Sequence, residues 1–95
     1  MYRIEHCYED DNFKAYFEIY EGVVFMHCSF KGVPTPKVMK GGRDKFEELA
    51  KGIISSGIEE LYTYSPNPRF VEFISNRWKF IQKLDKDNHL FQLEV

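Results

Sequence analysis

The chain has 95 residues, of which 29% are charged, and a formal net charge of −2. That length predicts one domain, since domains usually run to about 100–150 residues. The acidic balance excludes any overall attraction to a nucleic-acid duplex or an anionic membrane.

Tyr2, Ile4 and His6 alternate with Arg3, Glu5 and Cys7, which predicts a first strand ending at the polar turn Glu9-Asp10-Asp11-Asn12. Phe13, Ala15, Phe17 and Ile19 alternate with Lys14, Tyr16, Glu18 and Tyr20, a second strand of clear period two. Glu21-Gly22 reads as a tight turn, and Val23 to Phe30 returns as a third strand of β-branched and aromatic residues. Lys31-Gly32-Val33-Pro34-Thr35-Pro36 breaks the ladder, and Lys37-Val38-Met39 fits a very short strand before Lys40-Gly41-Gly42.

The period then becomes helical. Phe46, Leu49, Ala50, Ile53 and Ile54 make one apolar stripe, with Lys45, Glu47, Glu48 and Lys51 outside it, and Gly57 closes the helix. Ile58 to Tyr64 is a β-rich run. Ser65 or Asn67 then caps a second helix with Pro68 in its first turn and Phe70, Phe73, Ile74 and Trp78 on its stripe. Phe80 to Leu84, the turn Asp85-Lys86-Asp87-Asn88 and Leu90 to Val95 form a closing hairpin. The predicted class is α+β: two helices and a mixed, mostly antiparallel sheet, in the order β-β-β-(β)-α-β-α-β-β. A crossover through the first helix makes the strands around it parallel.

Charge is unevenly spread. Residues 1–21 carry Glu5, Glu9, Asp10, Asp11, Glu18 and Glu21 against Arg3 and Lys14, whereas residues 31–45 carry Lys31, Lys37, Lys40, Arg43 and Lys45 against Asp44. One basic stretch on an acidic chain suits a small anionic ligand better than a duplex. The polar start predicts no secretory leader, and no run approaches the ~18 apolar residues of a membrane span. Two cysteines without a leader read as reduced thiols, and the expectation is a soluble, cytoplasmic protein.

The element order, with Val38-Met39-Lys40-Gly41-Gly42-Arg43-Asp44-Lys45-Phe46 and with Asn67, Phe73-Ile74 and Trp78-Lys79-Phe80, resembles the GNAT (GCN5-related N-acetyltransferase) superfamily. The resemblance covers roughly residues 13 to 95. The second of these stretches, ending in His89-Leu90-Phe91-Gln92-Leu93, looks like the family's short, divergent phage members, among them a virion protein. It implies a single domain over residues 1–95 that lacks the family's N-terminal helices. It further implies acetyl-CoA as cofactor, with a Gly-rich loop and helix N-terminus at Lys40, Gly41, Gly42 and Arg43 for the pyrophosphate, and Asn67 at the second helix. The chain departs from the family in three places. Gly41-Gly42 is followed by Arg43-Asp44, and an aspartate repels a pyrophosphate. Ile74 stands where many members have a proton-donating tyrosine, and Trp78 where they have glycine.

Each candidate site has a plainer reading. Gly41-Gly42 before a helix would let the backbone approach a phosphate at the positive end of the helix dipole, or would be only a flexible turn among solvated basic residues. Acyl transfer to an amine needs a general base, for which Glu18, His27, Tyr62 and Tyr64 are candidates, Glu18 being equally an ordinary carboxylate on a wet face. His6-Cys7 and His27-Cys28 repeat a dipeptide of metal-ligand types, but neighbours on a strand point to opposite faces, so buried thiols are expected and no metal. Tyr16, Tyr20, Tyr62 and Tyr64 share a sheet face, expected to pack on the helices or to meet a protein partner. With the N-terminal helices absent, exposed apolar sheet predicts a host or virion protein partner or a homodimer. The expected function is therefore a non-catalytic, protein-binding GNAT-like domain, such as an inhibitor or virion component, with an acetyl-CoA-dependent N-acetyltransferase or a nucleotide-ligand binder as alternatives.

Overall fold

The computed structural model describes residues 2–85 and 87–94, and at His6 the backbone alone. The readings that fall on the His6 side chain, on Lys86 in the last turn and on Val95 at the chain's end lie outside the described residues. The elements are β1 (Tyr2–Glu9), β2 (Phe13–Tyr20), β3 (Val23–Phe30), α1 (Pro36–Ser55), β4 (Tyr62–Ser65), α2 (Pro68–Ile74), β5 (Trp78–Lys83) and β6 (His89–Leu93). They build an α+β domain around one six-stranded open sheet of order β1-β2-β3-β4-β6-β5. Only β3 and β4 pair in parallel, as the intervening helix requires; the other neighbours are antiparallel.

The β2–β3 hairpin turns on Glu21 (φ 52°) and Gly22 (φ 80°), the left-handed pair that suits the twist of a two-residue turn. Alternation then sorts the two faces. Phe13, Ala15, Phe17, Val24, Met26, Leu61, Phe91 and Leu93 join Phe46 and Ala50 of α1 and Val71 and Ile74 of α2 in one buried cluster. Both helices therefore cover the same face of the sheet.

Three expectations change. Residues 37–39 form no strand. Thr35 accepts from the Val38 N–H and caps α1 with Pro36 in its first turn, so the helix begins there and takes in Lys37-Val38-Met39. Gly41 and Gly42 consequently lie inside α1, and not in a loop before it. Gly42 has a packing reason to be glycine: a Cβ there would stand 2.6 Å from Phe30 Cε1 and 3.0 Å from Phe13 Cδ1. At its other end, α2 stops at Ile74. Ser75 is extended (φ −160°), its hydroxyl accepts from the Arg77 N–H, and Trp78 opens β5 instead of ending the α2 stripe.

Candidate functional site

The sheet face turned away from the helices carries the even-numbered residues of β2 and β4 and the odd-numbered residues of β3. Cross-strand register lines them up in rows: Tyr2 with Tyr20 and Val23, then Ile4 with Glu18, Phe25 and Tyr62, then Tyr16 with His27. The tyrosines expected to pack on the helices therefore lie on the opposite side, because each sits one residue off the core-facing positions.

Glu18 is the hub of this face. Its Oε2 accepts from the Tyr2 hydroxyl at 2.7 Å, and its Oε1 from the Tyr64 hydroxyl at 2.7 Å and His27 Nε2 at 2.9 Å. Burial raises the Glu18 carboxyl, but the hydrogen bonds from Tyr2, Tyr64 and His27 together outweigh it and leave the group below its ordinary range. An ionised carboxylate only accepts, so Nε2 of His27 carries the proton. In the neutral ring Nδ1 is then the acceptor, and it meets the Thr63 hydroxyl at 3.3 Å. Burial, followed by the bond to Glu18, drives the Tyr64 hydroxyl far above its usual value, which keeps it a donor. The rings close around this core, His27 lying 4.7 Å from Tyr64 and 5.2 Å from Tyr16.

Beside His27 the sheet parts. β3 and β4 are paired at one position, Phe25 with Tyr62, although β3 runs on to Phe30 and β4 to Ser65. The parting holds a cavity of about 80 Å³ bordered by His27, Thr63, Tyr64 and, from the core side, Ile74 and Trp78. Cys28 and Phe70 separate it from an apolar groove of about 520 Å³, lined also by Phe30, Pro34, Met39 and Phe73. Ligand pockets commonly fall at about 300–1,000 Å³, so the groove has room for a small or extended molecule.

The structure thus brings Glu18, His27 and Tyr64 together and adds Tyr2 and Thr63, which the sequence did not single out. Tyr2 was legible in principle, since it shares the parity of Ile4 on β1 and faces Tyr20; Thr63 was not, because its reach to His27 depends on the parting of two strands. Tyr62 lies against Phe25 and its hydroxyl donates to Glu60 at 3.3 Å, outside the hub.

The expected cofactor-binding residues are not assembled as a phosphate cradle. Gly41 and Gly42 lie beyond the first turn of α1, so their N–H groups are committed to the helix. Lys40 pairs with Asp44 at 2.8 Å, and Arg43 lies over the Phe73 ring. Two more cations of the basic stretch are also engaged: Lys31 with Glu9, and Lys45 with Glu48 and the Tyr8 ring. Asn67 caps α2, its side-chain oxygen accepting from the Phe70 N–H at 3.3 Å. Cys28 faces the core side while His27 faces away, and burial, with a smaller contribution from Cys7, pushes its thiol up to about 12. β2 separates β1 from β3, so the two His-Cys dipeptides are not cross-strand neighbours. Among the described residues no group of three or more His, Cys, Asp or Glu side chains is placed to hold a metal ion. No helix among them is long and apolar enough to cross a membrane.

Comparisons with protein-family models, with curated proteins and with solved structures give no match for this chain.

Proposed function

We propose that this chain is a divergent, non-catalytic GNAT-like domain, encoded by a phage, that works in the host cytoplasm by binding a protein of the host or the virion. The observation that carries this reading is the open sheet face. Both helices lie on the other side, and Tyr2, Ile4 and Tyr20 are each more than half exposed, with Val23 at 39%, in adjoining cross-strand rows. Clustered exposed apolar and tyrosine side chains of this kind suit a protein interface.

The hub chemistry argues in the same direction. A general base needs affinity for a proton, but the three donors on Glu18 favour its ionised form and Nδ1 of His27 already meets a hydroxyl. Ile74 at the edge of the parting has no proton to give. Calorimetric titration with acetyl-CoA, followed by an acetyl-transfer assay on simple amines, tests the reading. Neither binding heat nor transfer is expected. A host protein captured by the native chain should be lost with Tyr20→Asp. Saturable acetyl-CoA binding together with transfer would overturn the proposal.

One observation favours a second reading, an acetyl-CoA-dependent N-acetyltransferase. Where β3 and β4 part, their edges are unpaired beside the apolar groove, and such edges can grip an extended ligand. In that reading the thioester arm lies in the parting and His27 is the base. His27→Ala would then abolish transfer and leave acetyl-CoA binding in place.

A further inference from the structure

The strand order leaves β1 and β5 as the edges of the sheet. An open edge is a template for another strand unless lysines, proline or a bulge block it. β5 carries Lys79 and Lys83 and is irregular between Phe80 and Gln82. β1 is irregular between His6 and Tyr8, which spoils its second half. What remains is Tyr2 to His6, held in unbroken register against Tyr16 to Tyr20 and containing neither lysine nor proline. Among the described residues it is the stretch of edge free of lysine, proline and irregularity, and its charges, Arg3 and Glu5, are of opposite sign.

Its side chains are also self-complementary. Tyr2 and Ile4 stand on the open face, more than half exposed. Arg3 and Glu5 share the other face of the strand, 58% and 52% exposed, where Arg3 Nε lies 3.2 Å from Glu5 Oε1 of its own chain, a pair that can be exchanged for the same pair across copies. In an antiparallel pair about a two-fold axis through Ile4, Arg3 falls opposite Glu5 of the second copy, Glu5 opposite Arg3, and Ile4 opposite itself. Shifting the axis to Arg3 sets arginine against arginine, and shifting it to Glu5 sets glutamate against glutamate. Like charges directly opposite are unfavourable, so charge selects the Ile4 register.

We propose that this chain forms a two-fold dimer by antiparallel pairing of the β1 edges, centred on Ile4. The occupant of the edge is a second copy, because the sequence of the edge complements itself. The sheet continues across the axis and the two Tyr2–Ile4–Tyr20–Val23 patches become one surface. Pairing β1 with β5 of another copy would instead be head-to-tail, giving a ring or a filament and not a two-fold dimer. The area is small: a five-residue strand pair falls at the low end of specific interfaces, below about 1,200 Å² in total. The dimer is therefore reversible, with a dissociation constant on the order of 10–100 µM. This inference is independent of which reading of the open face holds.

Sedimentation velocity of the full chain over about 5 to 500 µM spans the expected constant. The native chain should pass from monomer to dimer and stop there. Arg3→Glu places glutamate against Glu5 twice and should weaken the dimer by about tenfold or more; Glu5→Arg should do the same. The double exchange Arg3→Glu/Glu5→Arg restores both opposed pairs and should bring back the native constant. Ile4→Cys should form an intersubunit disulfide on mild oxidation, since facing residues have Cα atoms about 4.5–5.5 Å apart. All three side-chain changes are at exposed positions, and an unchanged melting temperature of the dilute monomer for each of the four variants confirms that folding is not what they alter. A native chain that stays monomeric at the highest concentration, growth beyond the dimer, or a double exchange no better than the single variants would each overturn the proposal.

Discussion

Gly41 and Gly42 are neighbours in sequence and in α1, yet alanine should act on them with opposite sign. A glycine inside a helix costs about 0.8–1.0 kcal/mol relative to alanine through backbone entropy. At Gly41 nothing lies within 4 Å of the position a Cβ would take. Gly41→Ala should therefore recover most of that cost and raise the melting temperature, at about 4–8 °C per kcal/mol for a domain of this size. At Gly42 the new methyl would stand 2.6 and 2.7 Å from Phe30 Cε1 and Cζ and 3.0 Å from Phe13 Cδ1. Carbon pairs settle at about 3.5–4.0 Å, so something must move by close to an ångström. The Phe30 ring has Phe13 at 5.2 Å and Phe70 at 6.1 Å, so it can yield only toward the groove it lines, giving up those ring contacts. Overpacking typically costs about 1–3 kcal/mol, which exceeds the helix-propensity gain. The expected order of stability is Gly41→Ala, native, Gly42→Ala, read by thermal unfolding in the far ultraviolet and by urea denaturation. Gly41→Ala below native, or Gly42→Ala at or above it, would refute the packing argument. A phosphate-cradling loop at these residues makes a different prediction, in which the glycines act on ligand affinity and Gly41→Ala gives no stabilisation.

Glu18, held below its ordinary range, contributes stability that is present above an unfolded pKa of about 4.3 and lost as pH falls through the lower folded value. The native chain should thus lose more stability than Glu18→Gln between about pH 5 and pH 3, and parallel acid limbs for the two would contradict the network. Cys28, with its thiol pushed up to about 12, should react with iodoacetamide at neutral pH only as the protein unfolds in urea; rapid labelling of the folded chain would show the thiol to be accessible. Trp78 is 5% exposed with its ring 5.7 Å from Phe46, so Trp78→Ala should cost about 3–5 kcal/mol and leave little of a small domain's stability. Asn67→Ala removes only the α2 cap, at about 0.5–2 kcal/mol, and should still fold. If it kept its melting point but lost ligand or partner binding, Asn67 would be a site residue instead.

The β2–β3 hairpin was legible because half-buried strands write a period of two into the sequence, and the parallel pairing of β3 with β4 followed from the helix between them. Where reading by composition failed, packing had overridden local preference. Gly41-Gly42 looks like a loop, but Thr35-Pro36 starts the helix earlier and the close approach to Phe13 and Phe30 explains the second glycine. Trp78 fits the α2 stripe at four residues beyond Ile74, yet the chain turns extended at Ser75, and the tryptophan reaches the same core from a strand.

The candidate site divides along the same line. Glu18, His27 and Tyr64 could be chosen individually as titratable residues on predicted strands. Their convergence depends on register between β2, β3 and β4, which alternation alone does not fix. It also changes what they can do. Backbone pairing ties β3 to β4 at Phe25 and Tyr62; beyond it the Thr63 hydroxyl meets His27 of β3, and the Tyr64 hydroxyl reaches past β3 to Glu18 of β2. Side chains on either side of the gap thus set its width where ladder hydrogen bonds are missing. A carboxylate used in this way is a poor base, because protonating it weakens the three hydrogen bonds it accepts. Chemistry at this site would therefore have to loosen the parting that holds its substrate, whereas binding on the open face leaves every tie in place.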